Sequence, residues 1–179
     1  MTQVGSVYAR ALYGLAKEEQ VSRQILDELK ALDTAFSQEP AFLRLLSTPS
    51  LSKEERCAII DESFAGKVQP YLLNFLKILM ERGYARHFSE CCKAYCECYN
   101  QDNGILPVQV MTAVPLSSEQ SERLRAKLTK LTGKNVELAC SVDPQCLGGV
   151  RLDYDGKRVD DTLAHRLDAL RNVLKNTTL

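Results

Sequence analysis

The stretch Tyr99-Asn100-Gln101-Asp102-Asn103-Gly104-Ile105-Leu106-Pro107-Val108-Gln109-Val110 divides the chain into two patterns. Before Gly104, apolar residues recur at the i, i+3, i+4 spacing of amphipathic helices. After it, Leu106, Val108, Val110 and Val114 alternate with their neighbours, as in a half-buried strand. Pro107 confines that strand's proline to a place near its start or at an edge. The switch predicts an N-terminal all-α six-helix bundle over residues 1–104 and a small C-terminal α+β domain over residues 105–179.

Upstream, Val4, Val7, Tyr8, Ala11, Leu12 and Leu15 keep helical step, and Ala9, Tyr13 and Ala16 form a second apolar stripe on the same helix. A second helix carries Val21, Ile25, Leu29, Leu32 and Phe36. Pro40 suits the first turn of a third, with Phe42, Leu43 and Leu46, ending before Pro49. Ser52-Lys53-Glu54-Glu55 is a capping box for a fourth, in which Cys57, Ile60 and Phe64 face the core. Pro70 opens a fifth that Gly83 closes, and its apolar residues run nearly all the way round. The sixth holds Cys91, Cys92, Cys96 and Cys98. Isolated helices below about 12–15 residues are marginal in water, so these must pack together. Helices one and five are more apolar than a monomer's surface requires. Either helix five is central and wholly buried, or a groove between the two receives a partner's amphipathic helix.

Downstream, Ser117 caps a helix with Leu124, Leu128 and Leu131, which Gly133 ends. Val136, Leu138, Cys140 and Val142 alternate through a strand, and Asp143-Pro144 turns the chain. Val150, Leu152 and Tyr154 form another strand, joined through Asp155-Gly156 to Lys157-Arg158-Val159 as a hairpin. Asp160 or Asp161 caps a last helix carrying Leu163, Leu167, Leu170 and Leu174.

Several function classes drop out. Lys plus Arg and Asp plus Glu both number 23, so the basic excess of a nucleic-acid binder is missing. No apolar run reaches the roughly 18–20 residues of a membrane span. The opening residues carry neither a secretory nor a transit pattern, which places the protein on the cytosolic side of a bacterial membrane. Cys91 and Cys98 lie about 10 Å apart along one helix, too far for a single zinc ion to gather all four thiols. These cysteines read as small core hydrophobes, with a thiol-based sensor as a rival. His87 and His165 belong to no hydrolase or metalloprotease motif. Gly148-Gly149 leads into a strand rather than a helix N-terminus, so close backbone packing explains it better than a phosphate cradle. The carboxylates of Asp153, Asp155, Asp160 and Asp161 fit turns and caps. No catalytic residue, cofactor or metal is expected.

The run from Cys146 to Leu167, Cys146-Leu147-Gly148-Gly149-Val150-Arg151-Leu152-Asp153-Tyr154-Asp155-Gly156-Lys157-Arg158-Val159-Asp160-Asp161-Thr162-Leu163-Ala164-His165-Arg166-Leu167, resembles the C-terminal signature of the ATP synthase delta subunit family, which includes the mitochondrial oligomycin sensitivity conferring protein. Tyr8-Ala9-Arg10-Ala11-Leu12-Tyr13 is similar to the family's opening, and Leu79-Met80-Glu81-Arg82-Gly83-Tyr84-Ala85-Arg86 to its fifth-helix ending. Asp161, where the family usually has Ser or Gly, and the cysteine-rich sixth helix depart from the pattern. The resemblance implies a non-catalytic stator subunit that links the catalytic head to the peripheral stalk and resists rotor torque. It implies that the N-terminal helix of an alpha subunit lies between helices one and five, with Tyr8, Ala11, Leu12, Ile78 and Leu79 as contact candidates. It also implies that the C-terminal domain holds the distal ends of the b subunits, with Gly149, Val150, Val159, Leu163 and Leu167 as candidates. Membrane attachment would be peripheral, through the complex. The alternative is a helical adaptor for another amphipathic peptide.

Overall fold

The computed structural model describes residues 3–48 and 51–167, with side chains from Gly5 onward. Pro49, Leu170, Leu174 and the side chain of Val4 lie outside the described residues. The chain is mostly helical with one four-stranded mixed sheet, and it divides into two compact units, Met1–Tyr99 and Asn100–Leu179. The division falls inside a helix, a few residues upstream of the expected 104.

The N-terminal unit is built from α1 (Gln3–Glu18), α2 (Ser22–Gln38), α3 (Pro40–Leu46), α4 (Lys53–Phe64), α5 (Pro70–Glu81) and α6 (Phe88–Asp102). The Ser52 capping box forms in full: Glu55 N donates to Ser52 Oγ at 3.1 Å, and Ser52 N donates to Glu55 Oε2 at 2.8 Å. A short 3-10 turn, Ala85–His87, precedes α6 and carries no periodic signature of its own. The core gathers Ile25, Leu29, Phe36, Ile60, Leu72, Leu76, Phe88 and Tyr95 from four of the helices. Phe36 stacks on Phe42 at 5.6 Å and meets Phe88 edge-on at 5.0 Å, geometries that aromatic quadrupoles favour. Tyr95 is buried because its hydroxyl donates to the Ser22 carbonyl at 3.0 Å. The Arg56 guanidinium donates to the Thr48 carbonyl at 2.9 Å and the Met80 carbonyl at 3.4 Å, joining the start of α4 to the end of α5.

The two apolar stripes of α1 have different fates. Gly5, Ala9, Leu12 and Ala16 turn inward, and a Cβ added at Gly5 would stand 3.1 Å from Glu90 Cβ on α6. Val7, Ala11 and Leu15 stay exposed. The small inward residues let α1 lie close to its neighbours, and among the described residues the outward stripe stays open to solvent.

The C-terminal unit contains β1 (Ile105–Thr112), α7 (Ser118–Thr132), β2 (Asn135–Val142), β3 (Val150–Tyr154) and β4 (Lys157–Asp160), in sheet order β2-β1-β3-β4. β1 and β2 are parallel and joined by α7; β3 and β4 are added antiparallel. Pro107 is the third residue of β1, near the strand's start as expected, although β1 is central in the sheet. β3 pairs only with Gln109 to Thr112, so the proline has no partner on that side. α7 covers one face of the sheet through Leu128 and, in part, Leu124, whereas Leu131 in its last turn is exposed. Val114 lies beyond the end of β1, also exposed. The last helix, described through residue 167, is capped by Thr162 rather than by an aspartate: His165 N donates to Thr162 Oγ1 at 3.2 Å. Asp160 instead accepts the Thr162 amide at 3.0 Å and its hydroxyl at 2.7 Å. Those bonds hold its carboxyl below the usual range. Among the described residues no helix is long and apolar enough to cross a membrane.

Gly149 ties β3 to that helix. Its φ is +80°, and a Cβ there would stand 2.2 Å from the Asp161 carbonyl oxygen. Gly156 in the hairpin has φ +70° but open space around it. Gly156→Ala is expected to cost about 1–2 kcal/mol, the ordinary penalty of a left-handed residue. Gly149→Ala adds an overlap that must push backbone aside, and should cost at least about 1 kcal/mol more. Denaturant midpoints of the two variants check the difference.

Candidate functional site

α1 and α5 run antiparallel and leave an open groove of about 300 Å³ between them. α1 supplies Tyr8, Ala11, Leu12 and Leu15; α5 supplies Tyr71, Asn74, Phe75 and Ile78. At about 100° per residue, positions 8, 11, 12 and 15 share one helical face, as do 71, 74, 75 and 78. Asn74 is the one polar side chain of the eight that is neither apolar nor aromatic. Large hydrophobics are exposed here: Leu15 is 39% and Ile78 46% exposed on the walls, and Val7, one turn before Ala11, is 64% exposed. The groove ends are polar. At one end the Glu19 carboxylate, by its charge and by accepting the Tyr71 hydroxyl, raises the Tyr71 phenol above its usual range. At the other, Tyr8 packs edge-on against Tyr84 at 5.9 Å.

Of the five groove candidates read from sequence, Tyr8, Ala11, Leu12 and Ile78 line the walls. Leu79 does not. It is 0% exposed, because one residue past Ile78 the helix has turned its side chain into the core. Leu15, Tyr71, Asn74 and Phe75 were missed. Carrying the i, i+3, i+4 row along both helices from Ala11 and Ile78 would have found them.

In the C-terminal unit, Leu147, Leu163 and Leu167 are 64%, 48% and 56% exposed, and Val159 is also exposed. The Leu163 side chain lies over Gly148, reaching 2.9 Å from where a Cβ would be, which sets it next to Leu147. Leu167 follows one turn later on the same helical face. Gly149 and Val150 serve the unit's own packing: Gly149 admits the Asp161 carbonyl, and Val150 packs against the core cluster. Leu147 was missed, since a lone leucine in a glycine-rich turn has no periodicity to betray it.

The buried thiols of α6 are poor nucleophiles. Cys91 and Cys92 are buried, and the Cys92 thiol points at the Leu29 carbonyl, 3.7 Å away. Burial pushes Cys91 up to about 11 and Cys92 further, whereas reactive cysteines have lowered values and exposed sulfur. Among the described residues no three His, Cys, Asp or Glu side chains converge on a metal position. His87 Nδ1 lies 3.5 Å from Glu90 Oε2.

A family model described as "ATP synthase delta (OSCP) subunit" matches residues 4–174. The chain belongs to that family. The ATP synthase subunit delta of Alkaliphilus oremlandii (strain OhILAs) is 32% identical over 171 residues, 96% of this chain and 95% of the relative. That of Clostridioides difficile (strain 630) is 29% identical over 172 residues, again 96% and 95%. A chain in the cryo-EM structure of the Toxoplasma gondii mitochondrial ATP synthase hexamer shares the fold, with a TM-score of 0.74 over 97% of this chain and 98% of that one, at 20% identity. The protein is a structural subunit of ATP synthase, a stalk component and not a catalytic one.

Thiol chemistry tests the packing of α6. In native protein treated with iodoacetamide near pH 8, exposed Cys140 should be alkylated while Cys91 and Cys92 react only after unfolding, read by peptide mass spectrometry. The same burial predicts a pH dependence. The unfolded chain releases the Cys91 proton near 9.0 and the folded chain near 11, so stability is full below 9.0 and falls as pH rises toward 11.

Proposed function

We propose that the chain is the two-ended linker of the stator, holding the alpha subunit's N-terminal helix in the α1–α5 groove and the distal ends of the b subunits on the C-terminal unit. It works on the cytoplasmic face of a bacterial membrane, attached only through the complex. In this reading the six N-terminal helices act as one bundle whose job is to present the groove. The observation that carries it is the open, apolar furrow between α1 and α5, concave and two helical turns long, in a subunit with no chemistry of its own. An amphipathic helix presenting anchors at i, i+3/i+4 and i+7 matches those dimensions. Ala11 lowers the wall, so a guest backbone can come near. Leu147, Leu163, Leu167 and Val159 support an apolar contact on the other unit.

The mechanical argument favours such contacts. Proton flow turns a rotor, and the catalytic head must not turn with it, so the linker bears reaction torque at both ends. Apolar burial contributes roughly 25 cal/mol per Å² and is not screened by salt, whereas an exposed ion pair contributes about 0–1 kcal/mol and is. A permanent joint under load is better made of the former.

Ala11→Asp puts a charge in the groove without touching the core. Its affinity for a synthetic peptide spanning the alpha subunit's N-terminal helix, measured by calorimetric titration, should fall at least about tenfold, the cost of desolvating a carboxylate against hydrocarbon. Leu45→Asp, on an exposed leucine away from the groove, should bind as the parent does. Equal binding by all three would remove the alpha subunit from the groove and leave the adaptor reading. Leu167→Glu should reduce recovery of b subunits in a pull-down without lowering that of alpha, and unchanged recovery of b would take the patch out of the joint.

A further inference from the structure

The groove is not symmetric end to end. The α1 wall continues one turn past Leu15 to Glu18 and Glu19, at helical steps that keep them on the groove row, and Glu19 reaches across to Tyr71. The α5 wall continues past Ile78 to Arg82, which falls within about 20° of Tyr71 around the helix axis. Arg82 is exposed, as is Glu18. Because the two helices are antiparallel, the carboxylates stand at one end and the guanidinium at the other.

The charges that could blur this polarity face elsewhere. Arg10 and Lys17 lie about 160° round α1 from the groove row. Lys77 Nζ is held by Asp61 on α4 at 2.6 Å, and the Glu81 carboxylate accepts from the Cys57 thiol on α4 at 3.6 Å. Glu90 is engaged with His87 and rests against Gly5, on the inward side of α1. The dipoles of α1 and α5 point in opposite directions and largely cancel, so side-chain charge decides the field along the groove.

Resting on the groove reading above, we propose that the groove admits its guest helix in one direction only: N-terminus beside Glu18 and Glu19, C-terminus beside Arg82, antiparallel to α1 and parallel to α5. A helix N-terminus carries partial positive charge and its C-terminus partial negative charge, so this direction places each end against its complement. It also selects the guest's flanks. Basic residues before its first apolar anchor and acidic residues after its last one find partners; the opposite arrangement meets like charge at both ends. The apolar walls hold either orientation equally well, because hydrophobic contact has no direction along the axis. Glu18, Glu19 and Arg82 are therefore orientation-determining residues. Asn74, midway along the α5 wall, offers a hydrogen bond that only one register of the guest can use.

The test uses the full chain, isotopically labelled, with the same alpha-subunit peptide carrying a nitroxide at its N-terminal or its C-terminal end. The N-terminal label should broaden amide signals around Glu18, Glu19 and Tyr71, and the C-terminal label those around Arg82 and Tyr84. The reverse pattern, or equal broadening at both ends by either label, overturns the direction while leaving the groove occupied. Binding that is insensitive to Ala11→Asp, or no binding at all, removes the guest from the groove and the direction with it. As a second readout, Glu18→Lys combined with Arg82→Glu should weaken the peptide about fivefold at low ionic strength, a loss that disappears in roughly 1 M salt where charges are screened beyond about 3 Å. A salt-independent loss, or none, counts against the charge argument.

Discussion

The close seating of α1 against the rest of its unit is the contact on which the binding surface depends. Gly5, Ala9 and Ala16 keep the inward edge of α1 narrow, and its bulk comes from Leu12 and from Tyr13, which meets Tyr95 edge-on at 5.3 Å. With so little bulk between them, the backbones approach, and the outward stripe of Val7, Ala11 and Leu15 stands beside α5, exposed among the described residues. Larger residues on the inward edge would lift α1 away and open the furrow into a gap that water could fill. The packing that stabilises the unit and the surface that serves assembly are therefore two sides of one helix.

α5 shows the complementary solution. It is apolar nearly all round because it is almost surrounded. Leu72, Leu76, Leu79 and Met80 are sealed in the core, Lys77 is tethered to α4, and Tyr71, Asn74 and Ile78 form a strip that meets solvent. That strip is too apolar for a monomer's surface and too small to be a core of its own. The C-terminal unit uses different means toward a similar end. A single helix covers one face of a short mixed sheet, and the Gly148–Gly149 approach pins the last helix so that Leu163 and Leu167 face outward.

Much of this was open to reading in the residues themselves. Periodicity placed each helix, because a buried stripe repeats wherever a helix has one core side, and the Ser52 and Ser117 boxes marked starts that depend on neighbouring residues alone. The switch at Gly104 separated helix from strand, and Asp155-Gly156 announced its hairpin, since both signals reside in a few adjacent residues. The groove was half legible. Tyr8, Ala11, Leu12 and Ile78 followed from two over-apolar helices and a family likeness, while Leu79 was misplaced by one step of 100°.

Element type, capping and the existence of two apolar faces on α1 are local properties, set by side chains within a turn or two of one another, and so they were written in the chain. Which face of α1 went inward, why Pro107 could sit in a central strand, that Thr162 rather than an aspartate caps the last helix, and that Glu19 and Arg82 stand at opposite ends of one furrow all depend on segments far apart in sequence being brought together. Only packing in three dimensions settles such questions, because the energy that decides them belongs to contacts no linear pattern records.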